Sequence, residues 1–193
     1  YDVTNGSVKV DGVDVRDMTQ KELRDKLGYV PQKGVLFSGT IDSNIRYGKP
    51  EITDAQVKEA AEVAQATEFI DTKPEKYESP VSQGGTNVSG GQKQRLSIAR
   101  AIAKDPEIFI FDDSFSALDF KTDSQLRKAL KEYTKDATTV IVAQRISTIL
   151  GADQIIVLDD GHMAGIGTHK ELMANCEVYQ QIARSQLSEE ELA

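Results

Sequence analysis

The sequence predicts an α/β layered fold with an inserted helical subdomain. Short apolar, β-branched runs alternate with helical patterns along most of the chain, and this alternation is typical of layered α/β proteins. The runs predicted to be strands are residues 7–10, 27–30, 108–111, 138–143 and 155–158. Since the runs at 108–111 and 155–158 contain no polar residue, both are expected in a sheet that is covered on both faces.

The helix starts are marked by a Ser or Thr followed three residues later by Glu or Gln, a pair that can satisfy two free amides reciprocally. The pairs are Thr19/Glu22, Thr53/Gln56, Ser89/Gln92, Thr122/Gln125 and Thr168/Glu171. After Thr53, apolar residues follow at the spacing of a one-faced helix, at positions 57, 60, 61 and 64. We therefore divide the chain into a first core segment, 1–49, a helical subdomain, 50–105, and a second core segment, 106–193.

A β-hairpin is predicted near the C-terminus. The run at 155–158 leads into Asp160 and Gly161, a pair that favours a type I′ turn, and a second apolar run follows at 163–166. The last residues, 188–193, are predicted to be solvated.

Charge and composition exclude several classes of protein. The 193 residues suffice for one domain, and 23 Lys and Arg against 31 Asp and Glu give a net charge of −8. With few clustered basic residues, such an acidic chain is a poor match for a nucleic acid partner, so none is expected. Cys176 is the single cysteine, which excludes an internal disulfide and a cysteine-built metal cage. No stretch approaches the roughly 20 apolar residues that cross a bilayer.

The run IFIFDD at 108–113 ends a predicted buried strand with two adjacent carboxylates, Asp112 and Asp113. Ligands of open α/β sheets lie at the carboxyl ends of the strands, and two desolvated carboxylates are tolerated where a cation lies nearby. Asp112 is therefore a candidate ligand of Mg²⁺, and Asp113 a candidate partner for an attacking water. The alternative is a capped loop in which these side chains accept backbone amides.

The run VSGGQ at 88–92 predicts a phosphate site. With Ser89 as N-cap, the following amides and the positive end of the helix dipole would face outward. Gly90 and Gly91 would let an oxyanion approach the backbone without a Cβ in the way. The alternative is an ordinary loop, in which paired glycines before a helix are also common.

Together these motifs resemble those of the ATP-binding cassette (ABC) nucleotide-binding domain. The matching stretches are SGGQKQRLSIARAI at 89–102, the strand ending in Asp112 and Asp113, SALD at 116–119, YVPQ at 29–32, LFSGTIDSNIRYG at 36–48 and DDGHMAGIGTHKEL at 159–172. The resemblance covers essentially the whole chain and is greatest to ABC exporters. It implies a P-loop NTPase-like core in which 1–49 carries the Q-loop, 50–105 the signature motif, and 106–193 the Walker B, D-loop and switch regions.

The resemblance also implies how the site is assembled and with which partners. In this family two cassettes close head to tail on two ATP molecules, so that the SGGQ helix of one chain completes the site of the other. By the match of motifs, Gln32 would bind Mg²⁺ and the attacking water, and Asp112 would bind Mg²⁺. Asp119 matches the aspartate that crosses between the two sites. The residues facing the partner's ATP γ-phosphate would be Ser89, Gly90, Gly91 and Gln92. A second cassette and a transmembrane domain are the implied partners, and the cytoplasmic face of the membrane is the implied location.

Three residues depart from the family's pattern. Asp113 stands where the family usually has Glu, and its shorter side chain withdraws the carboxylate by roughly 1 to 1.5 Å, a misplacement that can cost about 100-fold in rate. Gln144 stands where the family has His, and it can donate to a γ-phosphate but cannot relay a proton. Gln83 replaces a Glu in a loop that contacts the transmembrane part. Asp113 and Gln144 weaken the same catalytic site, so the chain resembles the degenerate subunit of a heterodimeric exporter; the alternative is a weakly active homodimer.

The phosphate loop of the family is missing. The pattern G-x-x-x-x-G-K-[ST] does not occur in the 193 residues. In the family this loop precedes a segment like YDVTNGSV at 1–8, so we expect a fragment, truncated at its N-terminus, that starts after the Walker A region. Alone, it is expected neither to bind ATP tightly nor to hydrolyse it. Loss of a central strand should also expose apolar sheet surface and an unpaired edge, which favours self-association.

Two other functions are compatible with the motifs. A soluble ABC ATPase acting on nucleic acid or ribosomes would share the same chemistry, although the acidic composition and the stretch at 36–48 argue against it. The other compatible function is that of a non-catalytic module, in which nucleotide only holds a dimer together. His162 falls in a predicted turn and His169 in the first turn of a helix, so both are expected at the surface rather than as substitutes for the missing histidine.

Overall fold

The computed structural model of the protein describes residues 2–187, which form two compact units. The first unit runs to Val142, and the second starts at Ala143. The division into three segments made from the sequence remains a prediction. The predicted solvated tail, 188–193, lies outside the described residues.

The strands of the first unit are β1 (Lys9–Val10), β2 (Val13–Asp14), β3 (Leu27–Val30), β4 (Gly39–Thr40), β5 (Pro80–Val81), β6 (Ile108–Asp112) and β7 (Thr138–Val142). Its α-helices are α1 (Gln20–Lys26), α2 (Ile41–Ile45), α3 (Asp54–Val63), α4 (Thr67–Asp71), α5 (Gly90–Ala103) and α6 (Phe120–Tyr133). The second unit contains α7 (Ile146–Ile149), β8 (Ile155–Asp159), β9 (His162–Gly167), α8 (His169–Asn175) and α9 (Glu177–Gln186).

A three-stranded parallel sheet in the order β3-β6-β7 supports the first unit. Strand β6 is central, because Ile108 pairs with Leu27 of β3 on one side and with Thr138 of β7 on the other. Phe109 and Phe111 are buried with their rings 6.0 Å apart, and the alternate residues of β6 are half-buried. The predicted cover on both faces is therefore complete on one face of β6 and partial on the other.

The prediction that the run 155–158 lies in a sheet covered on both faces is wrong. Among the described residues, this run pairs with β9 in a two-stranded antiparallel hairpin. Ile156 is 57% and Leu158 70% exposed, because a hairpin packed on one face leaves every second residue outside. The predicted turn is confirmed, since Asp160 and Gly161 both have positive φ, 45° and 77°, as a type I′ turn requires.

Four of the five predicted helix starts are confirmed. The residues that form these capping boxes are Thr19, Thr53, Ser89 and Thr168. The start predicted at Thr122 is wrong, because α6 begins at Phe120 and its N-cap is Asp119. The Asp119 carboxylate accepts the Thr122 amide at 3.0 Å, and a negative charge is favoured at a helix start.

Helix α5 is the central helix of the first unit and packs against α2, α3 and β3. On the side of α5 that packs into this core, Leu96, Ala99, Ile102 and Ala103 are buried. The apolar face predicted for α3 is buried in the same core, at Val57, Ala60, Ala61 and Ala64. The helices therefore bury the faces that their sequence periodicity predicts.

Strand β7 is an edge of the parallel sheet in the part of the chain that the structure describes. Val140 and Val142 on this strand are 46% and 51% exposed. This is the apolar sheet surface expected from the sequence, and the self-association expected to follow from it stays a prediction. Within residues 2–187 there is no helix with the length and apolarity to span a bilayer.

Candidate functional site

Two carboxylates follow the central strand. Asp112 is the last residue of β6 and accepts a hydrogen bond of 3.1 Å from the Tyr29 hydroxyl of β3. This hydrogen bond, with burial and the nearby negative charge, raises the pKa of Tyr29. The backbone amide of Asp113 donates to the carbonyl of Val142 at the end of β7, at 2.8 Å. Both carboxylates therefore lie at the carboxyl edge of the sheet, where the sequence places them.

Gln32 and Asp113 meet at this edge. The Nε2 atom of Gln32 donates to Oδ2 of Asp113 at 3.1 Å, although the two residues are far apart in the sequence. Asp113 has φ of 45°, in the left-handed region that Asp adopts more readily than most other residues with a Cβ. Two of the residues predicted to act on an attacking water thus contact each other directly.

Ser114 fixes the loop that carries the carboxylates, and sequence reasoning missed it. It is 1% exposed, and its hydroxyl donates to the carbonyl of Val30 at 2.8 Å. This bond joins the loop after β6 to the end of β3, which keeps the Asp pair beside the segment that contains Gln32. The sequence did contain a signal for this role, namely a small hydroxyl residue directly after the two carboxylates.

The start of α5 is accessible to solvent. Ser89 is the N-cap, and its hydroxyl accepts the Gln92 amide at 3.2 Å while its own amide donates to Oε1 of Gln92 at 3.1 Å. Ser89 and Gly90 are exposed, and Gly91 and Gln92 are half-buried. The amides of Gly90 and Gly91 belong to the first turn, where no intrahelical acceptor is available. The predicted phosphate-binding residues therefore lie within reach of another molecule.

Gly90 has no steric or conformational reason within this chain to be a glycine. Its φ lies outside the left-handed region, and a Cβ built on it would have no atom within 4 Å. A Cβ on Gly91 would make an ordinary contact of 3.4 Å with the Ala117 carbonyl oxygen. What the missing side chains provide is room for an oxyanion to approach the first-turn amides.

Gln92 and Asp119 both serve helix starts in this structure. The side-chain oxygen of Gln92 completes the cap of α5, and the carboxylate of Asp119 caps α6. The hydrogen bonds from the backbone and side chain of Thr122 lower the pKa of Asp119. Contacts of these two residues with a second chain remain predictions.

Gln144 belongs to the second unit, in the segment that follows β7. Its side chain is exposed, and its backbone carbonyl accepts from Nε2 of Gln186 at 2.9 Å. The other end of that amide, Oε1 of Gln186, accepts from the Ile146 amide at 2.9 Å. Gln186 therefore fixes the backbone that presents Gln144, a role that the sequence did not indicate.

The two histidines differ in their surroundings. His162 is exposed at the start of β9, as expected. His169 is half-buried, and its Nδ1 atom lies 2.8 Å from the hydroxyl of Tyr179, which is 1% exposed. His169 is therefore only partly at the surface, because its ring contacts Tyr179, a core residue of the second unit.

An exposed pair of aromatic rings lies in the stretch 36–48. Phe37 and Tyr47 stack with their ring centroids 4.1 Å apart, and they are 40% and 57% exposed. The guanidinium of Arg100 lies over both rings, at 5.1 and 5.5 Å from their centroids, and donates to the backbone and side chain of Asn44. Burial lowers the pKa of Arg100. Stacked rings held on a half-buried cation form an ordered apolar surface, which the sequence alone did not reveal.

Within residues 2–187, no group of three or more His, Cys, Asp and Glu side chains is arranged to hold a metal ion without other ligands. The structure brings Gln32 and Asp113 together and places residues 89–92 at an exposed helix start. Gln144 belongs to the second unit. These residues can bind phosphates through first-turn amides and orient water beside a carboxylate.

Comparison with known proteins gives a consistent result. The sequence profile of the family described as ABC transporter matches residues 1–116. An uncharacterized ABC transporter ATP-binding protein of Mycobacterium bovis is 48% identical over 189 residues, which is 96% of this chain and 32% of the relative. A Staphylococcus aureus protein provisionally named as a multidrug export ATP-binding/permease protein is 45% identical over 182 residues, 94% of this chain and 32% of the relative.

A solved structure is also similar. A bacterial Atm1-family ABC exporter with ATP bound matches with a TM-score of 0.94 and 39% identity, over 98% of this chain and 33% of the exporter chain. The chain thus spans about a third of the length of the proteins that it matches.

Proposed function

This chain belongs to the ABC transporter family and has the ABC ATPase fold, and from that membership we propose that it is the ATP-binding domain of an exporter. In this proposal, ATP draws two such domains together, and the closure drives transport through a membrane domain. The start of α5 binds the nucleotide that the partner holds, while the chain's own site hydrolyses ATP slowly.

The observation that carries the proposal is the start of α5. Its first turn is exposed, its amides face away from the helix, and Gly90 lacks a side chain that the chain itself has room for. A γ-phosphate held by a second chain would accept the first-turn amides and would interact favourably with the helix dipole. If this helix start had no ligand to admit, a side chain at position 90 would stabilise it, because Gly forms helices less readily than other residues except Pro.

The weak activity of the chain's own site is proposed from two residues. Asp113 carries one methylene fewer than the Glu of the family, so its carboxylate reaches less far toward the water it would orient. In this structure that carboxylate accepts from Gln32 instead. Gln144 can donate to a phosphate but cannot become cationic. A heterodimer, with a fully active second site on the partner, follows from this asymmetry.

Mg²⁺ fits the residues at the sheet edge. Mg²⁺ takes one or two protein oxygens together with substrate phosphates. Asp112 supplies a carboxylate at the end of β6, and the next residue, Asp113, contacts the amide of Gln32. When bound, the ion would neutralise the charge that develops on the transferred phosphoryl group. The residues of this chain would orient the water and keep the carboxylate pair in place through the Ser114 bond to β3.

A transmembrane partner is proposed from the rings of Phe37 and Tyr47. The names of the relatives include a permease and an exporter, and an ordered apolar surface is suited to bind an apolar partner segment. The chain would then act at the cytoplasmic face of a membrane. The 193 residues contain no phosphate loop, so by themselves they are expected not to hydrolyse ATP.

Hydrogen exchange of the full-length protein assembled with its partner tests the proposal. Addition of Mg²⁺ and a non-hydrolysable ATP analogue should protect a peptide that spans residues 89–92. The start of α3 at Thr53 is a matched control, because it carries the same capping box and should show no change. Equal exchange at residues 89–92 with and without nucleotide would overturn the proposed function.

A further inference from the structure

A buried side chain joins α5 to the segment after β3. Gln94 lies two residues after Gln92, is 2% exposed, and uses both ends of its amide outside its own helix. Its Oε1 atom accepts the amide of Gly34 at 3.1 Å, and its Nε2 atom donates to the carbonyl of Pro31 at 3.2 Å. These two bonds lie on either side of Gln32 in the sequence.

Gly34 shows how closely this segment lies against α5. A Cβ on Gly34 would be 2.7 Å from the hydroxyl of Ser97 and 3.0 Å from the carbonyl of Lys93, both on α5. Its φ is not in the left-handed region, so the glycine is required by the close approach and not by its own backbone conformation. The segment and the helix are therefore in direct backbone contact.

The bonds of Gln94 constrain this contact more than an apolar side chain would. A buried amide is stable only with its partners in place, because a lost partner leaves a desolvated polar group without a hydrogen bond. When α5 shifts, the least costly response is for residues 31–34 to shift with it. Gln32 then moves with the helix, while Asp113 stays on the sheet.

We propose that Gln94 is a positioning residue that couples the start of α5 to Gln32, so that nucleotide captured on one site adjusts the other. The inference rests on the proposed function, in which residues 89–92 bind the partner's nucleotide. Closure on that nucleotide would move α5, and the Gln94 amide would carry Gln32 to its working distance from Asp113. Because Gln94 acts through Gln32, it is not itself a catalytic residue.

Hydrogen exchange of the full-length assembly tests the coupling directly. In the wild type, an ATP analogue with Mg²⁺ should protect both residues 89–92 and residues 31–36. Gln94→Met keeps the length of the side chain and removes both bonds, so protection should remain at 89–92 and be lost at 31–36. Gln94→Glu keeps an acceptor for the Gly34 amide and should retain part of the protection.

Steady-state kinetics separates coupling from a merely structural role. The assembly for this measurement carries an inactivated partner site, so that kcat reports this chain's own site. There we expect Gln94→Met to lower kcat about tenfold with little change in KM, since a 1 Å misplacement can cost about 100-fold. Gly34→Ala, whose Cβ would lie 2.7 Å from the Ser97 hydroxyl and 3.2 Å from Oε1 of Gln94, pushes the segment off the helix and should have the same effect. Ser97→Ala is the control: its hydroxyl bonds only the Lys93 carbonyl of its own helix, at 2.9 Å, and kcat should not change.

The outcomes distinguish the two proposals. No protection at 89–92 in the wild type overturns the proposed function, and this inference with it. Protection at 89–92 together with unchanged protection at 31–36 in Gln94→Met and in Gly34→Ala overturns the inference alone. If Gln94→Met fails to fold, Gln94→Glu and Gly34→Ala decide by the same two measurements.

Discussion

The start of α5 and the carboxyl edge of the sheet are built in opposite ways. At the helix start, Ser89 and Gln92 bond each other, and the first-turn amides point away from the chain. At the sheet edge, Asp112 and Asp113 accept from Tyr29 and Gln32, side chains of a neighbouring strand and loop. Under the proposed function, the first region is completed by another molecule, whereas the second is already held together by hydrogen bonds within the chain.

The difference shows how a shared site can be recognised in a single chain. A surface meant for another molecule retains features that the chain does not need for itself, such as the glycine at position 90. A surface that the chain holds for its own chemistry shows hydrogen bonds between elements distant in sequence, such as Gln32 to Asp113. Substitutions at the two regions should therefore separate stability from activity in different ways.

The largest effect is expected at the helix start. Gly90→Ala should lower ATP turnover of the full assembly by about 100-fold, because a Cβ displaces the phosphate from the amides. Its melting temperature should stay the same or rise, since Ala favours the helix. Gly151→Ala is the matched control, as that glycine also has open space and no left-handed φ. Wild-type turnover in Gly90→Ala would contradict the shared-site proposal.

A gain of activity is expected at the sheet edge. Asp113→Glu combined with Gln144→His should raise ATP turnover at this chain's own site by about tenfold. Glu restores the reach of the carboxylate, and His restores a side chain that can take up and release a proton. Vanadate trapping of nucleotide in the full assembly measures the site separately from its partner. Asp113→Asn with Gln144→His is the control, since it lacks the carboxylate. A double variant with no gain would remove these two residues as the cause of low activity.

The exposed rings should affect transport without affecting ATP binding. Tyr47→Ala removes a stacked ring that contributes about 1 kcal/mol, so the protein should fold while losing most of its coupling to a membrane partner. Transport by reconstituted vesicles, divided by ATP turnover, measures this coupling. Phe120→Ala is the control, because that ring is 82% exposed and lies outside the Phe37–Tyr47 pair. Equal ratios in both variants would exclude the rings as a docking surface.

A smaller effect is expected at the edge of the sheet in the isolated chain of 193 residues. Val140→Thr with Val142→Thr should reduce self-association, since both side chains are about half exposed on an edge strand. Light scattering after size-exclusion chromatography gives the mass directly. Val35→Thr, a similarly exposed valine outside the sheet, should leave the mass unchanged. A monodisperse wild-type monomer would refute this prediction.

The smallest effect concerns pH. The folded pKa of Asp119 is lowered below its ordinary value of 3.8, so its contribution is present above that pH and is lost as pH falls through the folded pKa. Asp119→Asn should therefore be slightly less stable than wild type near pH 7, and the difference should vanish in acid. Thermal melts between pH 2 and pH 7 measure it. A difference that does not change with pH would exclude the charge as its source.

Local signals carried most of the prediction from the sequence. Capping boxes located the starts of α1, α3, α5 and α8, and the apolar run before Asp112 located the central strand. These features depend on residues within one turn or one strand, which the sequence displays directly.

Features that depend on distant residues were not predictable in the same way. The exposure of Leu158 depends on which strand pairs with β8, and the cap at Asp119 depends on competition with a second candidate three residues later. Gln94 joins residues 60 positions apart, and no local pattern distinguishes such an amide from a solvated one. Candidate site residues could therefore be proposed from the sequence, but the hydrogen bonds that position them could not be predicted.

The backbone at Asp113 has a consequence for how a site of the proposed weak kind could change over time. Its φ of 45° suits an aspartate better than a glutamate, so the shorter acid relaxes the main chain at the cost of reach. A reversion to Glu would have to restore both the distance and the tolerance for this conformation. Under the proposed function, loss of catalysis here would be easier to acquire than to undo, and a lineage that had lost it would depend on its partner chain.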